Sequence, residues 1–93
     1  MAIVSFSCPD TQDFFNGKRI NRFVNIQTVA IRKLAMLNRA SMLQDLRIPP
    51  GNRLEALAGD RLGQHSIRIN DQFRVCFVWS SEGPVHVQIV DYH

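Results

Sequence analysis

Three runs in the last third of the chain alternate between apolar and polar residues, and their parity restricts the fold more than any other feature. Residues 65–70 (His-Ser-Ile-Arg-Ile-Asn), 73–79 (Phe-Arg-Val-Cys-Phe-Val-Trp) and 85–90 (Val-His-Val-Gln-Ile-Val) repeat with a period of two and are rich in β-branched and aromatic residues. This pattern predicts half-buried antiparallel strands separated by two turns. Ile67, Ile69, Phe73, Val75, Phe77, Trp79, Val85, Val87 and Ile89 then fall on one apolar face. A slip of one residue would turn every side chain over, so keeping this set together requires Ile69 to face Phe73 across a 70–72 loop. Arg68 then lies opposite Arg74. The second turn, 80–84, pairs Trp79 with Val85, so that Arg74 faces Val90 and lies diagonal to Tyr92.

Two opposed arginines repel, where an opposite-charge pair would contribute ~0.2–1 kcal/mol. An anionic ligand between them would convert that repulsion into bidentate recognition. The alternative is two solvated surface arginines. The presence of Tyr92 and His93 at the same end of the sheet favours the ligand.

Upstream, residues 2–7 read as a first strand, with Ile3, Val4 and Phe6 as its apolar content. Pro9-Asp10 breaks it and opens a short helix over 10–15 with acids in its first turn, ended by Asn16-Gly17. From 21 to 46 the period becomes helical: Phe23, Ile26, Ala30, Leu34 and Leu37 form a buried stripe. A break within 38–41 divides this stretch into a helical hairpin. Ile48-Pro-Pro-Gly51 stops the helices, and 53–57 forms a strand that ends at Ala58-Gly59-Asp60. The order β-α-α-β-β-β-β predicts an α+β domain spanning 1–93, with helices covering one face of the sheet.

Charge is uneven. Residues 1–47 carry seven Lys/Arg against three Asp, whereas 48–93 carry four Arg against five acids. The net charge of +3 therefore comes from the first half, which suits a phosphate-rich partner or simple solvation. Cys8 and Cys76 have neither metal-site spacing nor a second pair for a disulfide framework. The first residues lack a basic leader with a long apolar core, and no run approaches 18 apolar residues. The expectation is a cytoplasmic protein with reduced thiols and no membrane partner.

No phosphate-binding loop, nucleophile elbow or metal-ligand spacing occurs, and no cofactor is expected. What remains is Arg68 and Arg74, then Asp91, Tyr92 and His93, with Glu55 on the preceding strand. Cleaving RNA requires a base for the 2′-hydroxyl, a cation for the phosphorane and an acid for the leaving 5′-oxygen. Histidine suits either proton role, arginine supplies permanent charge in place of a metal, and tyrosine can stack a base or donate a proton.

The run 49–77, Pro-Pro-Gly-Asn-Arg-Leu-Glu-Ala-Leu-Ala-Gly-Asp-Arg-Leu-Gly-Gln-His-Ser-Ile-Arg-Ile-Asn-Asp-Gln-Phe-Arg-Val-Cys-Phe, followed by Ile89-Val-Asp-Tyr-His93, resembles the HigB-type toxins. Ser5-Phe-Ser-Cys8 and Arg32-Lys-Leu-Ala-Met-Leu37 resemble the same group, so the likeness covers nearly the whole chain. These toxins belong to the RelE/ParE superfamily. The resemblance implies a RelE-like fold, with two N-terminal helices on one face of a small, mainly antiparallel sheet. It further implies a metal-independent, ribosome-dependent endoribonuclease that cuts messenger RNA in the decoding site of the small subunit. A HigA-type helix-turn-helix antitoxin would neutralise it and carry it to operator DNA.

By position, Arg74 matches the arginine on the scissile phosphate, and Asp91, Tyr92 and His93 match the terminal catalytic triplet. Arg68 and Glu55 complete the expected catalytic set. Arg32, Lys33, Arg39, Arg53 and Arg61 are the expected RNA and ribosome contacts. Where some members carry His and Lys, this chain has Glu55 and Ala58. That difference shifts weight to His93 and Arg74, or gives Glu55 the base role. The rival within the superfamily is a ParE-like gyrase poison without nuclease activity; a third possibility is an inert RNA- or protein-binding domain.

Overall fold

The helical stripe is buried throughout: Phe23, Ala30, Leu34 and Leu37 are fully inaccessible and Ile26 nearly so. The computed structural model describes residues 2–91. Two α-helices, α1 (Pro9–Phe15) and α2 (Gln27–Arg39), pack on a four-stranded antiparallel sheet. Its strands are β1 (Glu55–Ala56), β2 (His65–Arg68), β3 (Phe73–Ser80) and β4 (Gly83–Asp91), in the order β1-β2-β3-β4. The apolar parity of β2, β3 and β4 meets the helical stripe in one core that includes Ile67, Ile69, Val75, Phe77, Val87 and Ile89.

Helical structure between 21 and 46 departs from a hairpin of two full helices. Residues Asn21–Ile26 wind as 3₁₀ turns, consistent with two asparagines and two β-branched residues in six positions. The break falls at Ala40, which is extended. A single 3₁₀ turn, Leu43–Arg47, follows, nucleated by the Asp45 carboxylate accepting from the amides of Ser41 and Met42. Pro49 forces Ile48 into an extended conformation, so too few residues remain for a second arm. Asn52 ties this segment down. It is fully buried, donates to the carbonyls of Leu46 and Ile48, and accepts from Lys33 of α2.

Burial, helped by Arg32 and Arg68, pulls the Lys33 ammonium below its usual value. The folded state thus holds this proton less tightly than the unfolded chain does. The resulting penalty is present while both states hold the proton and is relieved as pH rises through the lowered folded-state value toward 10.5. Asn52→Leu, which strips the buried ammonium of its acceptor, should cost at least about 2–3 kcal/mol in urea unfolding. Adding Lys33→Met should restore part of that loss. A single variant as stable as the parent would mean that the pair is dispensable.

Expected and observed strands differ chiefly at the second turn. It is two residues long, Ser80 pairing with Gly83, so Trp79 faces Pro84 and Val85 faces Val78. Val85 therefore leaves the apolar face to which its parity in the sequence assigned it. A bulge in β4 then inserts one residue opposite Phe77, and the register from Cys76–Gln88 onward is the expected one, with Arg74 facing Val90. His86, at φ 55°, supplies the left-handed backbone of the bulge. Both of its main-chain groups are occupied: its amide donates to Ser5 Oγ, and its carbonyl accepts from Ser7 Oγ.

The predicted first strand is an extended segment running parallel to β4, joined through Val4, Ser5 and Ser7 and bridged at Phe6–Val87. Thr11 of α1 extends this cover, its hydroxyl accepting from the amide of Ile89. The outer edge of β4 is thereby closed to other strands. No helix among the described residues is long and apolar enough to cross a membrane.

Candidate active site

The sheet face turned away from the helices carries the polar residues of the alternating strands. Glu55 pairs with Ser66, Ser66 with Cys76, and Arg68 with Arg74. Partners in such a ladder share a face, so these five side chains form one patch. The opposition of Arg68 and Arg74 is as the parity predicts.

Each of the two arginines has its own carboxylate, which the alternation did not reveal. Arg68 Nη2 pairs with Asp71 Oδ1 in the turn that follows. Arg74 Nη2 lies 3.6 Å from Glu55 Oε1. Like-charge repulsion is therefore relieved within the protein, without a ligand between the two guanidinium groups.

Arg74 is the better held of the two. Its side chain is only 12% exposed. Nε donates to Ser66 Oγ at 2.7 Å, and Nη2 donates to the Arg53 carbonyl at 2.8 Å. Arg53 ends the 3₁₀ turn Pro50–Asn52 in the left-handed region, at φ 46° and ψ 54°. This conformation costs a non-glycine residue roughly 1–2 kcal/mol. Here it reverses the chain into β1 and places the carbonyl against Arg74. Arg53, expected at RNA through its side chain, thus also serves the patch through its main chain.

Cys76 lies beneath. Burial pushes its thiol up, against the pull of Arg61 and Arg74 and with a further push from Glu55. That makes it an inert packed thiol flanked by charged residues, with Arg61 near the patch. Arg61 also donates to Gln64 Oε1 at 3.1 Å.

The remaining expected residues are distributed elsewhere. Asp91 pairs with Phe73 and so falls on the helix-bearing parity, one residue out of phase with Arg74; its Oδ2 accepts from Gln72 Nε2 at 3.1 Å. Tyr92 and His93 lie outside the described residues. Arg32 and Arg39 are exposed on α2, in the layer across the sheet from Arg74. Lys33, expected beside them on a basic surface, is buried against Asn52 instead. The other two histidines do not serve the patch: His65 stacks on Phe77 on the helix-bearing parity, and His86 occupies the bulge.

Such a patch can hold an anion at a fixed guanidinium beside a carboxylate able to accept a proton. Ser66 and the Arg53 carbonyl, which orient that guanidinium, were not singled out in the sequence. The only local signal was a serine in a strand that otherwise favours β-branched residues.

Residues 8–93 match the family described as RelE-like toxin of type II toxin-antitoxin system HigB. A curated relative, Toxin HigB-1 of Vibrio cholerae serotype O1, is 41% identical over 70 residues, covering 73% of this chain and 74% of that protein. Among solved structures, a YoeB/ParE toxin from Agrobacterium tumefaciens superposes with a TM-score of 0.58 at 19% identity, over 100% of both chains. A YoeB-YefM complex from Staphylococcus aureus gives 0.58 at 15% identity, over 100% of this chain and 99% of that one. These two likenesses concern the fold, which is the RelE-like arrangement the sequence predicts. The family match over nearly the whole length and the 41% identity to Toxin HigB-1 make the chain a HigB-like toxin of the RelE superfamily, from a type II toxin–antitoxin system.

Proposed function

We propose that this toxin is a metal-independent endoribonuclease that cuts messenger RNA on the ribosome, and so halts translation. The observation that carries the proposal is the anchored guanidinium of Arg74 beside the Glu55 carboxylate. In this reading Arg74 stabilises the charge that develops on the phosphorane. Glu55 or His93 takes the 2′-hydroxyl proton, and His93 returns one to the leaving 5′-oxygen. Tyr92 stacks the base next to the cut, and Asp91 steadies the terminal segment through Gln72. Arg68, paired with the exposed Asp71 and without the Ser66 and Arg53 anchors of Arg74, is the secondary cation at the rim of the patch.

The partners follow from the same reading. A type II toxin is paired with an antitoxin, here of the HigA helix-turn-helix kind, through which the toxin reaches operator DNA. The small-subunit decoding site presents the message. Arg53 and Arg61, next to the patch, are the first candidates for RNA contact, with Arg32 and Arg39 gripping ribosomal RNA from the helical layer. Neutralising Arg32 and Arg39 together should weaken ribosome association and lower its salt slope by about one per lost phosphate contact. An unchanged slope would make that face merely solvated.

The decisive experiment maps RNA ends in a translation extract containing ribosomes. Messages cut only when ribosomes are present support the reading. Intact messages together with trapped, cleaved DNA would instead identify a gyrase poison of the ParE kind.

A further inference from the structure

We infer that Ser66 is a positioning residue for Arg74: its buried hydroxyl fixes the plane of the guanidinium that receives the phosphate. The inference rests on the nuclease reading for its catalytic consequence, but its geometry does not. Ser66 is fully inaccessible in the middle of the sheet, between Glu55 on one side and Cys76 on the other. Strand interiors favour β-branched or aromatic residues, and a small polar residue here fills the space less well. Its hydroxyl is justified by what it touches, since Oγ accepts the Nε hydrogen of Arg74 at 2.7 Å.

Nε is the one nitrogen through which the fork is joined to its stem, so a fixed acceptor there sets the orientation of the whole plane. The Arg53 carbonyl, 2.8 Å from Nη2, sets a second point. Two fixed points determine how a rigid planar group lies. Glu55, at 3.6 Å and on an exposed side chain, is a looser third neighbour. Of the two close anchors, only Ser66 acts through a side chain, so it alone can be removed by substitution.

Positioning of this kind acts on the transition state, because oxyanion stabilisation depends on donors already aimed at the developing charge. Ser66→Ala should therefore lower the single-turnover cleavage rate by about 10–100-fold, with little change in apparent affinity for ribosomes. Ser66→Thr, which keeps the hydroxyl, should retain most of the rate. In an Arg74→Ala background the Ser66→Ala change should have no further effect, as expected for two residues acting as one unit.

A second readout needs no catalysis. In the free protein, the Arg74 Nε–H should give a resolved, slowly exchanging NMR signal that Ser66→Ala moves and exposes to rapid exchange. Retention of that signal in a folded Ser66→Ala protein would overturn the inference. So would an equal rate loss in the Arg74→Ala background. If the parent protein cuts no message but the NMR signal responds as described, the nuclease reading fails and the positioning role stands.

Discussion

Arg74→Ala should lower cleavage of ribosome-bound message by about 10²–10³-fold and abolish growth arrest, the usual consequence of removing one preorganised donor from a developing oxyanion. Binding to ribosomes should change far less, since exposed basic residues elsewhere supply most of the phosphate contacts. The substitution also removes a donor from Ser66 Oγ and from the Arg53 carbonyl. A stability loss of about 1–3 kcal/mol is therefore expected, and the assay must be run well below the melting temperature of the variant. Arg74→Lys is the informative companion. Lysine keeps the charge but cannot present the fork to Ser66 and Arg53 together, so its rate should fall between those of the parent and the alanine variant. Wild-type cleavage by folded Arg74→Ala would remove the phosphate from this position. Persistent growth arrest with intact messages would move the target away from RNA altogether.

The same residue illustrates how much of the site could be read from the chain. Parity alone put Arg74 opposite both Arg68 and Val90, and the ladder agrees. The route to Val90 was nevertheless different. The five-residue turn inferred from Ser-Ser-Glu-Gly-Pro is really a two-residue one, and a bulge at His86 restores the lost register. Nothing in the alternation of Val-His-Val-Gln-Ile-Val announces that bulge. It is held by Ser5 and Ser7, some eighty residues away in sequence, and a long-range hydrogen bond leaves no local signature.

Local periodicity was a safe guide where burial depends on it, as in the stripe from Phe23 to Leu37. Lys33, next to Arg32 in sequence, was grouped with it as a basic RNA contact, although its spacing from Ile26, Ala30 and Leu37 puts it beside the buried stripe. One position on a helix turns a side chain by a quarter of a circle or more. That turn brings Lys33 inward, to an asparagine that becomes its acceptor only after the chain has reversed through 40–52. The carboxylate partners of Arg68 and Arg74 were hidden for a similar reason. Asp71 was assigned to the loop and Glu55 to catalysis, and their ion pairs depend on tertiary placement.

His93→Ala should cost more than any other single change in proton transfer, about 10²–10⁴-fold in rate, the range for losing a general acid or base. The case for His93 rests on chemistry and on the other histidines. An unperturbed imidazole titrates near pH 6.5, which suits either proton role at neutral pH. Among the described residues, His65 is committed to Phe77 on the helix-bearing parity and His86 to the bulge, so neither supplies an imidazole beside Arg74. Family likeness extends to that residue, since the matched region ends at 93. The variant should retain ribosome binding and an intact fold, because the core lies in strands and helices that precede it. Glu55→Gln provides the comparison, as it removes the carboxylate 3.6 Å from Arg74 while keeping its shape. If Glu55 is the base and His93 the acid, each variant should lose one limb of a bell-shaped pH–rate profile, and the double variant should lose both. If His93 performs both transfers, Glu55→Gln should leave the profile intact and alter only the affinity for the phosphate. A folded His93→Ala protein cutting at the parent rate would transfer the proton role to Glu55, Asp91, Tyr92 or the ribosomal RNA. Loss of cleavage on adding Glu55→Gln to that variant would then single out Glu55, and an unchanged rate would leave Asp91, Tyr92 or the ribosomal RNA.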